Sequence, residues 1–493
     1  MRLAWFSPFP PVRTGIAACS AELVDALKER GHEVDRYPEA AAHDFVWRRR
    51  RAPYDLVVYQ FGNSSHHDYE WAYALNYPGL VVLHDTHLHH ARAAFLLREK
   101  RVAEYRAEFR WNHPEVPPDV AELAVAGFDS RLYYEWPMVR SLVEASRLVA
   151  VHGEGARAEL ISHLAPGTSH LVPGTSHLAP GTSHLAPGTS HLALGTSHLA
   201  PGTSHLAPGT SHFALGTSHV VSVRLGHGAL VPPERERRAR AAVRAKHAVP
   251  EDAALFGCFG GLTPEKRIPQ ILSAFRALLP HAPGARLLLA GAPAAHYDIV
   301  ADVAAQGLQD RVTLTGYLET DENLTDHLAA CDVTLNLRWP TARATSGPWL
   351  RVLGAGRATI ITDLVHLGDV PSLDPRTWTA NFIEDRGPST PVCVAIDILD
   401  EDHSLRLAMR RLASDTALRE QLGRAAREWW TREHSLEAMV EDYERVMQQA
   451  ACPEPGVTLP AHMRNPGDRK LRALLEPFGT ALGRRSLGEG GPI

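Results

Sequence analysis

Short apolar runs separated by segments of helix length recur along this 493-residue chain, and no other feature restricts its fold as tightly. In the first part they are RLAWFS, YDLVVYQFG, GLVVLHD and SRLVAVHG, with GIAACSAELVDALKERG as the first intervening helical stretch. The scheme resumes later in ALFGCFGG, ARLLLAGA, RVTLTGY, CDVTLNLR and ATIITD. Strands joined by crossovers long enough for a helix pair in parallel and carry those helices on both faces of the sheet. Two such series predict an α/β protein with two Rossmann-like, doubly wound domains.

Between the series, a seven-residue unit of the type HLAPGTS recurs from Ser162 to His219. A heptad spacing suits a coiled coil, but Pro166, Pro173, Pro180, Pro187, Pro201 and Pro208 would each break a helix, and Pro-Gly favours a turn. One large apolar residue per unit is too little to offset the ordering of a core. The tract reads as a low-complexity heptapeptide-repeat insertion, with a disordered loop and a stacked-turn solenoid as the two readings. Its nine spaced histidines, His163 through His219, are either metal ligands or the by-product of a tandem expansion. The boundaries are then 1–161 for the first domain, 162–219 for the insertion and 220–425 for the second domain. A closing C-terminal helix covers 426–451, with apolar residues at helical spacing through Trp429, Met439 and Tyr443, and a proline- and glycine-rich, poorly ordered tail covers 452–493.

A formal charge of −5 with no lopsided block gives nucleic-acid binding no electrostatic support. Five scattered cysteines without a CxxC pair read as reduced core residues. The prolines of RLAWFSPFPP do not suit a signal peptide, and no apolar run reaches the roughly 18 residues of a membrane span, so a cytoplasmic protein is expected.

Two stretches carry chemistry. In SPFPPVRTGIAACSAEL a strand ends at Ser7 and Gly15 opens a helix whose first N–H groups are unpaired at the sheet's carboxyl edge, either an anion site or a plain strand–helix turn. GPWLRVLGAGRATIITD, Gly347 to Asp363, repeats the layout of a glycine-entered helix, a glycine turn and a buried strand.

The first stretch, followed by LVDALKERGHEV, resembles the opening of glycosyltransferase family 4, the retaining enzymes of the GT-B fold. The resemblance continues through YQFGNSSHHDYEWAYALNYPGLVVLHDTHLHH, FGCFGGLTPEKRIPQILSAFRALL, LLLAGAP, VTLTGYLETDENLTDHLAACDVTLNLRWPT and SGPWLRVLGAGRATIITD, and spans most of 1–162 and 219–445. It implies an N-terminal acceptor domain and a C-terminal donor domain facing across a cleft where the reaction occurs.

By this resemblance Lys266 contacts the donor diphosphate; a surface lysine is the other reading. Family members commonly carry an arginine where this chain has Gly261, so Arg267 or Arg338 would compensate. His84, at the end of LVVLHD, stands where the family often has a histidine near the transferring sugar, able to donate to a hydroxyl or shuttle a proton. Asp85 would orient that ring or bind the acceptor. The family also places two glutamates around the helix after its SG turn. Here the candidate positions are Ala344, Arg343, Arg351 and Val352, so both carboxylates are missing. What remains is the helix start, where Thr345, Ser346 and Gly347 offer backbone N–H groups to a diphosphate, as Gly15 does in the other domain.

His66, His67, His87, His89 and His90 crowd one region, yet they lack a metal-ligand spacing, and no metal or cofactor is expected beyond the nucleotide-diphosphate sugar itself. Arg48, Arg49, Arg50 and Arg51, beside Phe45 and Trp47, read either as a solvated segment or as a peripheral contact with the inner face of a membrane, serving a lipid-linked acceptor. The leading expectation is a retaining, metal-independent transferase moving a hexose from a nucleotide-diphosphate sugar to a carbohydrate or lipid-linked acceptor. A catalytically silent sugar-nucleotide or glycan-binding module is the second, and an epimerase on the same fold the third.

Overall fold

The computed structural model describes residues 1–128, 132–164, 219–341, 343–381, 383 and 389–452. The readings made for most of the repeat tract (165–218) and for the tail (453–493) lie outside the described residues.

The described residues form two parallel sheets. The first has the order β2-β1-β3-β4-β5-β6, from β1 (Arg2–Phe6), β2 (Glu33–Tyr37), β3 (Leu56–Phe61), β4 (Leu80–Leu83), β5 (Leu148–His152) and β6 (Val220–Val223). The second has the order β12-β13-β11-β10-β7-β8-β9. Its strands are β7 (Leu255–Phe259), β8 (Arg286–Ala290), β9 (Val312–Gly316), β10 (Val333–Asn336), β11 (Ala358–Thr362), β12 (Ser372–Leu373) and β13 (Cys393–Ile396). β4, β5, β7 and β11 are buried along their whole length, which is why each reads as a mostly apolar run. The edge strands β2 and β6 each have one neighbouring strand and keep polar residues such as Glu33, Asp35 and Ser222.

The register of β6 corrects one boundary. Val149 pairs with Val220 and Ala150 with Val221, in parallel, so the strand after the repeats completes the first sheet and does not open the second domain at residue 220. The repeats therefore lie within the first domain, between the helix Glu154–Leu164 and its own last strand.

The segment 426–451 is likewise not one helix. Thr416–Glu433 ends at His434, and Leu436–Ala451 restarts with Ser435 as its cap, the Oγ accepting from the Ala438 N–H at 3.2 Å. The last helix returns to the first domain. Its Tyr443 ring stacks on Trp5 at 5.8 Å and its Met439 Sδ lies 3.9 Å from Cys19 Sγ. Cys19, Cys258, Cys331 and Cys393 are buried free thiols, whereas Cys452 is exposed.

Candidate functional site

On the second sheet, the helix Gly347–Gly354 follows β10 and is capped by Ser346, whose Oγ accepts from the Trp349 N–H at 3.4 Å. Gly356, at φ 66°, closes the far end and turns the chain into β11. The first N–H groups of the helix have no intrahelical acceptor, and its dipole makes this end electropositive. Arg338 Nη2 donates to the same Ser346 Oγ at 3.3 Å.

Lys266 ends the short turn Pro264–Lys266 after β7, and its Nζ donates to the Phe259 carbonyl. Gly260, at φ 91°, makes this approach feasible. A Cβ there would stand 2.5 Å from Lys266 Nζ and 3.3 Å from Pro348 Cγ, so only glycine lets the lysine and the helix start share the space. Burial pushes the Lys266 ammonium down to about 8, with Arg338 acting the same way and Cys258 against it. Burial also lowers Arg338, opposed by Asp85 and Cys258. Among the described residues neither cation has a carboxylate within 4.0 Å. Two half-buried cations beside a helix N-terminus form a ready receptor for a doubly charged anion. Gly261 has nothing within 4 Å of where a side chain would start, so the position of the absent arginine is open space.

Arg267 is placed otherwise than expected. It adopts the left-handed conformation at φ 62°, and its guanidinium forms a two-pronged pair with Glu401, at 2.8 Å through Nε. That pair fixes the helix Glu401–Ser414, so of the two arginines considered for the missing contact only Arg338 is without a carboxylate partner among the described residues.

Across the cleft, Asp85 Oδ2 accepts from the Asn63 N–H at 2.8 Å. Burial raises its carboxyl to about 6, while that hydrogen bond and the Arg338 charge from the other domain pull it back. Gly62 gathers this side of the site. A Cβ on it would stand 2.4 Å from Ile16 Cδ1 and 2.9 Å from His67 Nε2, with Asp85 Oδ2 at 3.4 Å, so Ile16 near the start of the helix Gly15–Glu29, His67 and Asp85 all surround this glycine. Gly15 itself has open space around it, and Thr14 caps the helix by accepting from the Ala17 N–H at 3.1 Å.

His84 sits beneath these groups. Its Nε2 is 2.7 Å from Gln60 Oε1, which also accepts from the Tyr443 hydroxyl, and its Nδ1 is 3.1 Å from His152 Nε2. Burial, then His152 and His67, hold it well below the usual histidine range. With both ring nitrogens engaged and the ring neutral, His84 positions neighbouring groups and has no spare nitrogen for a proton shuttle.

The histidine-rich stretch divides. His67 Nδ1 pairs with Glu70 at 2.9 Å, His89 Nε2 with the Tyr105 hydroxyl at 2.9 Å, and His90 lies against the Tyr133 ring. His87 instead meets Glu159 and His163 of the helix Glu154–Leu164, their ligand atoms all within 4.8 Å of one another. Residues so distant in sequence give no spacing signal.

None of the four positions considered for a donor carboxylate supplies one. Val352 is fully buried, Ala344 carries a methyl group, and both arginines are committed: Arg343 Nε to Glu159 at 2.8 Å, and Arg351 to His227 at 3.0 Å and Asp321 at 3.2 Å.

The model of the family described as Glycosyl transferases group 1 matches residues 239–337, the stretch that holds β7 to β10 with Gly261 and Lys266. No curated protein matches the chain. Among solved structures, sucrose-phosphate synthase from Thermosynechococcus elongatus is 13% identical with a TM-score of 0.55, over 91% of this chain and 98% of that one. Anabaena HepE, in complex with UDP and glucose, is 11% identical with a TM-score of 0.53, over 91% and 99%. The catalytic domain of starch synthase IV from Arabidopsis thaliana, bound to ADP and acarbose, is 12% identical with a TM-score of 0.54, over 92% and 99%. The two facing parallel-sheet domains are the GT-B fold. The matched segment gives the enzyme class: a glycosyltransferase.

Proposed function

We propose that the chain is a retaining glycosyltransferase of the family 4 kind, moving a hexose from a nucleotide-diphosphate sugar to a carbohydrate or lipid-linked acceptor. The observation that carries this reading is the unpaired cation pair, Lys266 and Arg338, beside the Ser346-capped helix start and across the cleft from Asp85. The diphosphate sits on the backbone N–H groups at Thr345, Ser346 and Gly347, and Lys266 and Arg338 stabilise the charge that develops as the sugar–phosphate bond breaks. Attack comes from the face the phosphate leaves, so the leaving oxygen takes the acceptor's proton. Asp85 orients the acceptor hydroxyl, with the start of the helix at Gly15 closing that side, and His84 keeps the floor of the site in register.

One observation favours a second reading, a silent sugar-nucleotide or glycan-binding module: Ala344 and its neighbours leave the donor's hydroxyls without a carboxylate acceptor. Each lost acceptor costs about 1–3 kcal/mol in a buried site. The lipid-linked version of the acceptor would use the helix Asp44–Arg51 against an anionic membrane surface, through Arg50 over the exposed ring of Trp47 and through Arg51, since Arg48 pairs with Asp35 at 3.4 Å and Arg49 lies over the Tyr77 ring. The test is to incubate the protein with a panel of sugar nucleotides and follow both binding and nucleotide release. Binding with sugar-dependent release supports transfer, binding alone supports the silent module, and neither contradicts both.

A further inference from the structure

Around the Arg343–Glu159 contact, several buried polar atoms find no partner among the described residues. His87 is 1% exposed and neither ring nitrogen makes a hydrogen bond. Glu159 gives Oε1 to Arg343 at 2.8 Å, while its Oε2 is buried and unpartnered. His366, buried nearby, leaves Nδ1 unpartnered. Each such atom costs about 1–3 kcal/mol when nothing meets it, so a cluster of them calls for a shared ligand.

The geometry narrows the ligand. Glu159 and His163 are four residues apart on one helix and so project from the same face. His163 Nε2 lies 3.9 Å and His87 Nε2 4.0 Å from Glu159 Oε1, and the two rings stand at 82° with centroids 5.4 Å apart. All four orphaned atoms carry lone pairs in at least one ring tautomer. A cation with bonds of about 2.0–2.2 Å holds such atoms roughly 3.3 Å apart, so binding would draw the three side chains together from separations of up to 4.8 Å. Two imidazole nitrogens and one carboxylate oxygen suit zinc or cobalt and ill suit magnesium or calcium, which demand oxygen. Arg343 holds Oε1, the oxygen those distances reach, which leaves the unpartnered Oε2 of the same carboxylate for the cation; an outer partner of this kind orients a ligating carboxylate.

We propose that His87, Glu159 and His163 form a binding site for a divalent transition cation, zinc by its donor set, at the junction of the two domains. It would tie the loop after β4 to the helix Glu154–Leu164 and, through Arg343, to the strand of chain that leads into Ser346. The site is separate from the cation pair of the donor cleft and holds whether or not the transfer reading does.

The test is a competition titration of the full-length, chelator-treated protein with zinc ions, comparing wild type with His87→Ala, His163→Ala and a repeat-tract control, His184→Ala. The expected result is one tight equivalent in wild type, weakened roughly tenfold or more by either of the first two changes and untouched by the third. Loss in the control alone, or no difference among the variants, would assign binding to the repeats and overturn the proposal. If either variant fails to fold, the cobalt complex of wild type decides: an intense low-coordinate visible spectrum supports the site, and a weak six-coordinate spectrum or none overturns it.

Discussion

Arg343 of the second domain donates its Nε to Glu159 Oε1 of the first at 2.8 Å, with the carboxylate's side chain 9% and the guanidinium's 19% exposed. One ion pair thus bridges the cleft beside the donor-side helix. Removing one partner strands the other, so Arg343→Ala should cost about 3 kcal/mol and lower the melting temperature by several degrees. A double-mutant cycle with Glu159→Ala checks it: a coupling energy near zero would mean that the pair does not bridge the domains in solution.

Gly261 tests the site from the opposite direction, by gain. Its surroundings are open and its backbone is not left-handed, so Gly261→Arg should fold normally and add a cation to the phosphate cradle. A charged hydrogen bond contributes about 1.5–3 kcal/mol, so nucleoside-diphosphate affinity should rise roughly tenfold or more by calorimetry. Unchanged affinity would place the phosphates elsewhere.

Lys266 sets a pH dependence. Its ammonium, lowered by burial to about 8, must be charged to meet a diphosphate, and a bound anion raises that value. As pH rises through about 8 the free protein loses the proton that the complex keeps. Affinity should therefore fall by up to roughly tenfold per pH unit above that point, until the complex also deprotonates. Below pH 7 this group should contribute no slope, and in Lys266→Ala the fall above 8 should vanish.

The place of the repeats, between the helix Glu154–Leu164 and β6 of the same sheet, bears on their removal. The helix returns the chain to the start of the next parallel strand, so few residues are needed to connect them. Deleting Ser169 through Ser218 should then shift stability by no more than about 2 kcal/mol, in the stabilising direction, because loop closure changes by about 0.6 kcal/mol per doubling. A markedly lower melting temperature would make the tract part of the fold.

The fold was legible where strands are buried on both faces. LVVYQF, LVVL and LFGCF declare themselves because strands buried on both faces are mostly apolar, Gln60 being buried only with His84 and Tyr443 as partners. The edges were not legible: EVDRY and VVSV carry the polar residues that an edge tolerates, and missing VVSV displaced the domain boundary. The site divided along similar lines. Glycine-opened helix starts and Lys266 could be read from local order, since backbone geometry follows from nearby residues. The partners of Arg267, His84 and His87 could not, because Glu401, Gln60, His152 and Glu159 reach them only through the tertiary fold.

In the proposed donor site Lys266 and Arg338, with the Ser346-capped helix, grip a diphosphate. Calorimetric binding of a nucleoside diphosphate and of the bare nucleoside to wild type and Lys266→Ala, for each common base, tests that grip. The diphosphate should lose about 1.5–3 kcal/mol of binding in the variant while the nucleoside loses nothing. Equal losses for the two ligands, or no loss for either, would mean that Lys266 does not hold the phosphates.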